Sequence, residues 1–477
     1  MLSKEMFENR ARFDNPWWTS GRTADCFEHT RPRLALDEIY AQVTNWNLNR
    51  ATLIMGPRRV GKTWLMQHLV GRLLANAFVP AQNIIFISVD VPIYQGSGLE
   101  ALVSAVAEIN GLDVQSDRMV VLFDEIQYLK DWEVHLKTLV ESYRNIRFVA
   151  SGSAATVLQK GSYESGAGRF SDFRLAPLSF YEYVDLIGEK GRFSNQTLKV
   201  DGSEGIFPSV ESLEWANGLF LEYLNYGGYP ELVANRAVRE NPVQFVQRDI
   251  VDKVLLRDLP SLYHIEDVRD LQSFFSYIAF HSGAVQSWES MAQGAGLRKA
   301  MITAFLKYLE DAFLIVRHDR VDITAKSLQR ATQFKVYLTN TSLRAAMFQP
   351  VEMPDDPYLG AMVETALSAQ MGIGEERNAW RYANWTSGRK QGEVDFVRIH
   401  AGTQRPDVAL ECKWSDGPFD HPAELGSAVG FCQKNGLSRL WVTTRSQRGV
   451  RRMGDLELVY VPTALFAYQL GAGGVFK

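Results

Sequence analysis

One octapeptide constrains this chain more than any other stretch. Gly56-Pro57-Arg58-Arg59-Val60-Gly61-Lys62-Thr63 fits the spacing GxxxxGK[ST]. It lies between a short apolar run, Ala51 to Met55, and a helical pattern from Lys62 to about Asn76. The glycines let successive backbone N–H groups curl around phosphate oxygens without Cβ clashes. The helix that follows turns its positive N-terminal end toward the same oxygens. At this spacing Lys62 reaches the β- and γ-phosphates of a nucleoside triphosphate, and the Thr63 hydroxyl ligates Mg2+. The residues from Gly56 to Thr63, with Trp64 next on the helix, are therefore predicted to contact ATP bound with Mg2+.

The flanking sequence supplies the sheet such a loop needs. Asn83 to Val89, Arg118 to Phe123 and Ile146 to Ala150 are short apolar runs separated by helical stretches, which predicts a parallel sheet covered by helices on both faces. The third run delivers Asp124 and Glu125 at its C-terminal edge, where open α/β sheets bind ligands. Asp124 is expected to hold Mg2+ and Glu125 to polarise the attacking water; an acidic helix cap is the plainer reading of the same pair. Ser151-Gly152-Ser153 ends the fourth run. Ser153 is a candidate contact to the γ-phosphate, or else part of a turn. Hydrolysis at such sites often needs an arginine, sometimes from a neighbouring subunit. Arg169 and Arg257 are the candidates, and Arg169 is preferred because it follows the fourth run.

The quoted stretches resemble a known family. NPWW at Asn15 to Trp18, GPRRVGKT, LFDEIQ at Leu122 to Gln127, SGSAA at Ser151 to Ala155, GRF, and LAPLSFYEY at Leu175 to Tyr183 are similar to a bacterial and archaeal family of AAA-type ATPases with a C-terminal domain of unknown function. The resemblance implies that a winged helix and a nuclease-like domain follow the ATPase.

Composition sets wider limits. With 477 residues the chain is long enough for two to four domains, and a net charge of -4 neither demands nor excludes nucleic acid. The three cysteines, Cys26, Cys412 and Cys432, form no CxxC pair, so neither a disulfide framework nor a cysteine zinc site is expected. The N-terminus lacks an apolar h-region and no apolar run approaches the length of a membrane helix, which predicts a cytoplasmic protein without membrane contact.

The middle of the chain reads as mostly helical, with Gly188 to Glu204 as a polar surface loop. Ser287 to Ala292 opens a short helix, Gly294 to Gly296 a turn, and Arg298 to Leu314 a longer helix; two short strands then give the spacing of a helix-turn-helix with a wing. On the longer helix Met301, Phe305 and Leu309 are expected in the core. Arg298, Lys299, Thr303 and Lys307 form a candidate DNA-phosphate face, or a solvated one. Pro350 to Pro357 reads as a linker.

The last segment carries a second set of acids. Glu393 to Ile399 and Val408 to Trp414 alternate as half-buried strands do. Antiparallel pairing of the two would bring Asp395 close to Glu411, and carboxylates that close bind Mg2+ or Mn2+. Lys413 would orient a metal-activated water or neutralise charge, and Glu364, on the preceding helix, would add a ligand or a contact to one. This order resembles the PD-(D/E)XK restriction-endonuclease-like core of the Holliday-junction-resolvase type, although Val394 stands where that pattern has proline. The fold expected is multidomain α/β. A P-loop ATPase core spans 1–176, a helical lid 177–244, a winged helix 245–345 and a nuclease-like domain 346–477. The function expected is an ATP-hydrolysing homo-oligomer that regulates a metal-dependent, DNA-acting nuclease, in genome defence or DNA processing. The alternative is a nucleotide switch or scaffold whose last domain only binds DNA or a protein partner.

Overall fold

A computed structural model describes residues 4–153, 168–200, 203–265, 267–326, 332–353, 355–371, 379–387 and 390–475. The chain divides into two compact units, Met1–Ala176 and Pro177–Lys477.

The first unit is built on five parallel strands: β1 (Ala51–Gly56), β2 (Ile84–Ser88), β3 (Met119–Asp124), β4 (Ile146–Ser153) and β5 (Phe170–Arg174). Their order is β2-β3-β4-β1-β5. Every residue of β1 and β3 is buried, as expected of strands covered on both faces. The four strands read from the sequence are all present, and β5 adds an edge. At the other edge, β2 is capped by the segment that precedes the sheet. The Asn15 amide donates to the Phe86 carbonyl (2.9 Å) and accepts from the Phe86 N–H (2.6 Å). Both Trp17 and Trp18 donate their indole N–H to the Ile84 carbonyl, at 2.9 Å each. Side chains thus take the hydrogen bonds that another strand would make, which closes the edge against further pairing.

The second unit is mixed α/β. Gly188 to Glu204, expected as a loop, instead contributes most of a hairpin of β6 (Ser194–Val200) and β7 (Ser203–Ser209), paired Val200 to Ser203. The sequence signal for that hairpin was Asp201-Gly202, a dipeptide suited to a two-residue turn, which lies outside the described residues. Residues 177–244 do not form a separate lid. Phe180, Tyr183, Phe220 and Tyr223 share a core with Leu465, Phe466 and Ala467 of the last helix, Thr463–Gly471.

Nine strands make the main sheet: β8 (Val285–Ser287), β9 (Ile315–Val321), β10 (Gln333–Leu338), β11 (Trp380–Ser387), β12 (Lys390–Ile399), β13 (Pro406–Glu411), β14 (Arg439–Thr444), β15 (Gly449–Met453) and β16 (Leu456–Pro462). The order is β15-β16-β14-β13-β12-β11-β9-β10-β8. β9 and β11 pair in parallel, Tyr382 to Arg320 and Ala383 to Val321, so the sheet runs unbroken past the 345/346 boundary and the 350–357 segment. Between β8 and β9 stand the helices Trp288–Ala295 and Lys299–Asp311. Ser287 caps the first in a reciprocal box with Ser290, and Gly296 ends it in the left-handed region at φ 68°. On the second helix Ile302, Phe305, Leu306 and Leu309 are buried, whereas Met301, expected in the core, lies at its rim.

Candidate functional site

The loop joining β1 to the helix Lys62–Ala75 is held in the strained geometry its sequence implies. Gly61 has φ 95° and Arg59 φ 63°, both left-handed. A Cβ at Gly56 would come within 2.4 Å of the Leu175 carbonyl oxygen, so only glycine fits there. The Lys62 ammonium, buried at 5% exposure, donates to the Gly56 and Pro57 carbonyls, both at 3.1 Å. Thr63 donates its hydroxyl to Asp124 Oδ2 at 2.7 Å. Two hard oxygens, one from the helix start and one from the end of β3, thus meet at the loop, which is the donor chemistry Mg2+ takes. Trp64 is half-exposed and packs edge-on against Phe27, whose ring also lines a cleft of about 550 Å³ with Thr30, Gln67 and His68.

β4 lies between β1 and β3, and its end ties the acids together. Ser151 donates to Asp124 Oδ1 and accepts from the Glu125 N–H at 3.1 Å. Burial first, then the neighbouring Glu125 charge, push the Asp124 carboxyl above its ordinary value; Ser151, Thr63 and Lys62 pull the other way. Glu125 is itself left-handed at φ 53°. Gln127 donates to Glu125 Oε2 and accepts from the Ser153 N–H at 3.2 Å. Neither Gln127 nor Ser151 was singled out from the sequence as a site residue, although both stand in quoted motifs.

The second acid set converges too. β12 and β13 pair antiparallel, Phe396 to Leu410. Asp395 Oδ2 accepts the Cys412 N–H at 2.9 Å, and Lys413 Nζ lies 3.1 Å from Glu411 Oε2 and 3.6 Å from Asp395 Oδ2. The pairing of β11 with β12 shifts register here: one residue, Tyr382, lies between Arg381 and Ala383, while two, Asp395 and Phe396, lie between their partners Val397 and Val394. A bulge at such a place re-aims a side chain. Burial and the Asp395 charge push the Glu411 carboxyl well up, while Lys335 and Lys413 hold Asp395 down against its own burial.

Lys335 of β10 was absent from the sequence reading. Its ammonium lies 2.8 Å from Glu364 Oε1, 2.7 Å from Glu393 Oε1 and 3.6 Å from Asp395 Oδ1, with a side chain 3% exposed. Tyr337, two residues on, donates its hydroxyl to the same Glu364 oxygen. Of the expected Mg2+ or Mn2+ ligands, Glu364 and Asp395 are therefore gathered around Lys335, while Glu411 pairs with Lys413. Among the described residues, no group of three or more His, Cys, Asp or Glu is arranged to hold a metal ion.

Comparison with known proteins bears on the first of these sites. Residues 48–184 match the model of an AAA domain, and that span contains the whole loop, both acids and the end of β4. This region is an AAA-type P-loop domain. Residues 217–353 match a domain of unknown function, DUF8612. An uncharacterised protein of Haemophilus influenzae is 23% identical over 302 residues, covering 61% of this chain and 68% of its own length. Two proteins of Methanocaldococcus jannaschii are 24% identical over 278 residues (56% of each chain) and 21% identical over 358 residues (73% of this chain and 72% of the relative). Among solved structures, Orc1 of Aeropyrum pernix in complex with DNA covers 70% of this chain and 95% of its own, at 11% identity and TM-score 0.29. Cdc6p of Pyrobaculum aerophilum covers 70% and 97%, at 12% and 0.29. Those scores are too low to define a shared overall architecture.

Arg169 sits at the start of β5, where its carbonyl accepts the Ala51 N–H at 2.8 Å. That is the edge of the sheet opposite the loop, about 16 Å away along five residues of strand. Arg169 pairs with Glu141 Oε1 at 3.1 Å and does not approach its own phosphate site. The β5 arginine at the loop edge is Arg174, opposite Met55. Arg257 is exposed in a π-helical stretch of the second unit, Val254–Asp258. On the Lys299–Asp311 helix, Arg298 is the N-cap and Lys299, Thr303 and Lys307 are exposed, but Lys299 pairs with Glu289 Oε1 at 2.6 Å. No described helix is long and apolar enough to cross a membrane.

Proposed function

We propose that this chain is an ATP-hydrolysing AAA-type protein whose nucleotide state controls a second α/β unit directed at nucleic acid. The observation that carries the reading is the relay at the loop: Thr63 and Ser151 both donate to Asp124, and Gln127 fixes Glu125 beside them. Lys62 and the loop amides bind the phosphates, while Thr63 and Asp124 would hold Mg2+. The metal screens phosphate charge when bound. Glu125 accepts the proton of the attacking water, and Ser151 and Ser153 line the same edge. Because Arg169 lies on the far edge of its own sheet, its action at a γ-phosphate requires a neighbouring copy, which supports a homo-oligomer. ATP turnover tests the reading: Lys62→Ala should abolish nucleotide binding, and unchanged binding would contradict it.

A second reading assigns 245–345 as a winged helix and 346–477 as a restriction-endonuclease-like domain that cuts DNA with Mg2+ or Mn2+. The approach of Asp395, Glu411 and Lys413 supports it. Cleavage of plasmid or branched DNA should then be lost in Asp395→Ala and Lys413→Ala. Cleavage that persists in both variants removes the site assignment. No cleavage by the wild type favours a switch that binds DNA or a protein partner without cutting.

A further inference from the structure

The acid cluster of the second unit contains more than the nuclease-like pattern. It gathers Glu364 from the helix Leu359–Met371, Glu393 and Asp395 from β12, and Glu411 from β13. Four carboxylates at close range repel one another, and burial makes the repulsion costly unless cations intervene. Two do. Lys413 covers Asp395 and Glu411, and Lys335 covers Glu364, Glu393 and Asp395.

Lys335 comes from an unexpected distance. In strand order β10 is three places from β12, about 14 Å across a flat sheet. Side chains reach across that gap: the Tyr337 and Phe396 rings, on the same two strands, stand 5.7 Å apart. Period two puts Lys335 and Tyr337 on one face of β10, and both reach Glu364. The Lys335 ammonium stands over the Tyr382 ring, 5.5 Å from its centroid. The residue is packed and aimed, not a surface lysine that happens to fold inward.

A divalent ion bound by these acids would take carboxylate oxygens from Glu364 and Asp395 together. The point that both oxygens face is where the Lys335 ammonium stands. The ligand set does not fit a metal in this arrangement.

We propose that Lys335 is the resident cation of this cluster: a tethered ammonium, carried by β10, that takes the place of a divalent ion and keeps the site metal-free. The inference rests on reading the acids as a nuclease-like constellation. It says that this constellation takes up metal only when Lys335 is withdrawn or replaced.

The test is Mn2+ binding to the full-length, nucleotide-free protein, read by electron paramagnetic resonance and by calorimetry. Each variant is compared with the same protein carrying Asp395→Asn, which separates this site from the ATP loop. Wild type and Lys335→Arg should show no Asp395-dependent binding. Lys335→Met should gain it, at least about tenfold tighter than wild type. Asp395-dependent Mn2+ binding by the wild type as tight as that of Lys335→Met overturns the proposal. A folded Lys335→Met that binds no Mn2+ also overturns it, because the lysine would not be what excludes the ion. If circular dichroism shows that Lys335→Met is unfolded, Lys335→Gln takes its place: Asp395-dependent Mn2+ binding gained in that variant upholds the proposal, and its absence overturns it. DNA cleavage is a separate readout, and ATP turnover is untouched by either result, so failure here leaves the ATPase reading standing.

Discussion

At the scale of single residues, the nucleotide site turns on side chains that position others. Gln127 touches no expected ligand atom, yet its amide spans from Glu125 to the Ser153 N–H and so fixes where the carboxylate points. A general base displaced by about 1 Å can lose roughly a hundredfold in rate. Gln127→Leu should therefore lower kcat by about 10–100-fold while leaving KM for ATP nearly unchanged. A rise in KM with normal kcat would mean that Gln127 supports binding instead. The motif residues were legible because phosphate chemistry dictates their spacing. Lys335 was not, because its role depends on a partner strand three places away in the sheet. Its only local sign was a lysine sharing a strand face with Tyr337 in Gln333–Leu338.

At the scale of elements, the parallel sheet was readable as buried apolar runs, and what protects its edge was not. Asn15 stood in the quoted NPWW motif without a physical role. It uses both ends of its amide on Phe86 and is 1% exposed. Asn15→Ala strips the partners from a buried N–H and carbonyl, which should destabilise the first unit by about 1–3 kcal/mol. Chemical denaturation followed by tryptophan fluorescence checks this, and a midpoint identical to wild type would contradict the edge-cap role. The β6–β7 hairpin was misread because a polar, glycine-bearing stretch looks like a loop unless its turn dipeptide is recognised. The candidate DNA-phosphate residues of the Lys299–Asp311 helix are exposed, as a solvated face also would be, and the Lys299–Glu289 pair was not legible because it depends on a neighbouring helix.

At the scale of the whole molecule, the chain carries an AAA-type ATP site in its first unit and, in its second, an acid cluster with Lys335 and Lys413 among the carboxylates. If Arg169 acts at a γ-phosphate as proposed, it does so in trans, and assembly becomes part of the proposed chemistry. Arg169→Ala and Lys62→Ala should each be inactive alone, yet mixing them should restore part of the ATP turnover. The first keeps an intact loop and the second an intact arginine. No recovery in mixed oligomers would remove the trans role of Arg169. The most direct measurement of the central claim is the fate of ATP on Glu125→Gln. After incubation with Mg2+ and ATP, wild type should release phosphate, whereas Glu125→Gln should retain bound ATP and turn over at least about 100-fold more slowly. Turnover by Glu125→Gln at the wild-type rate would contradict the assignment of this loop and its acids as the hydrolytic site.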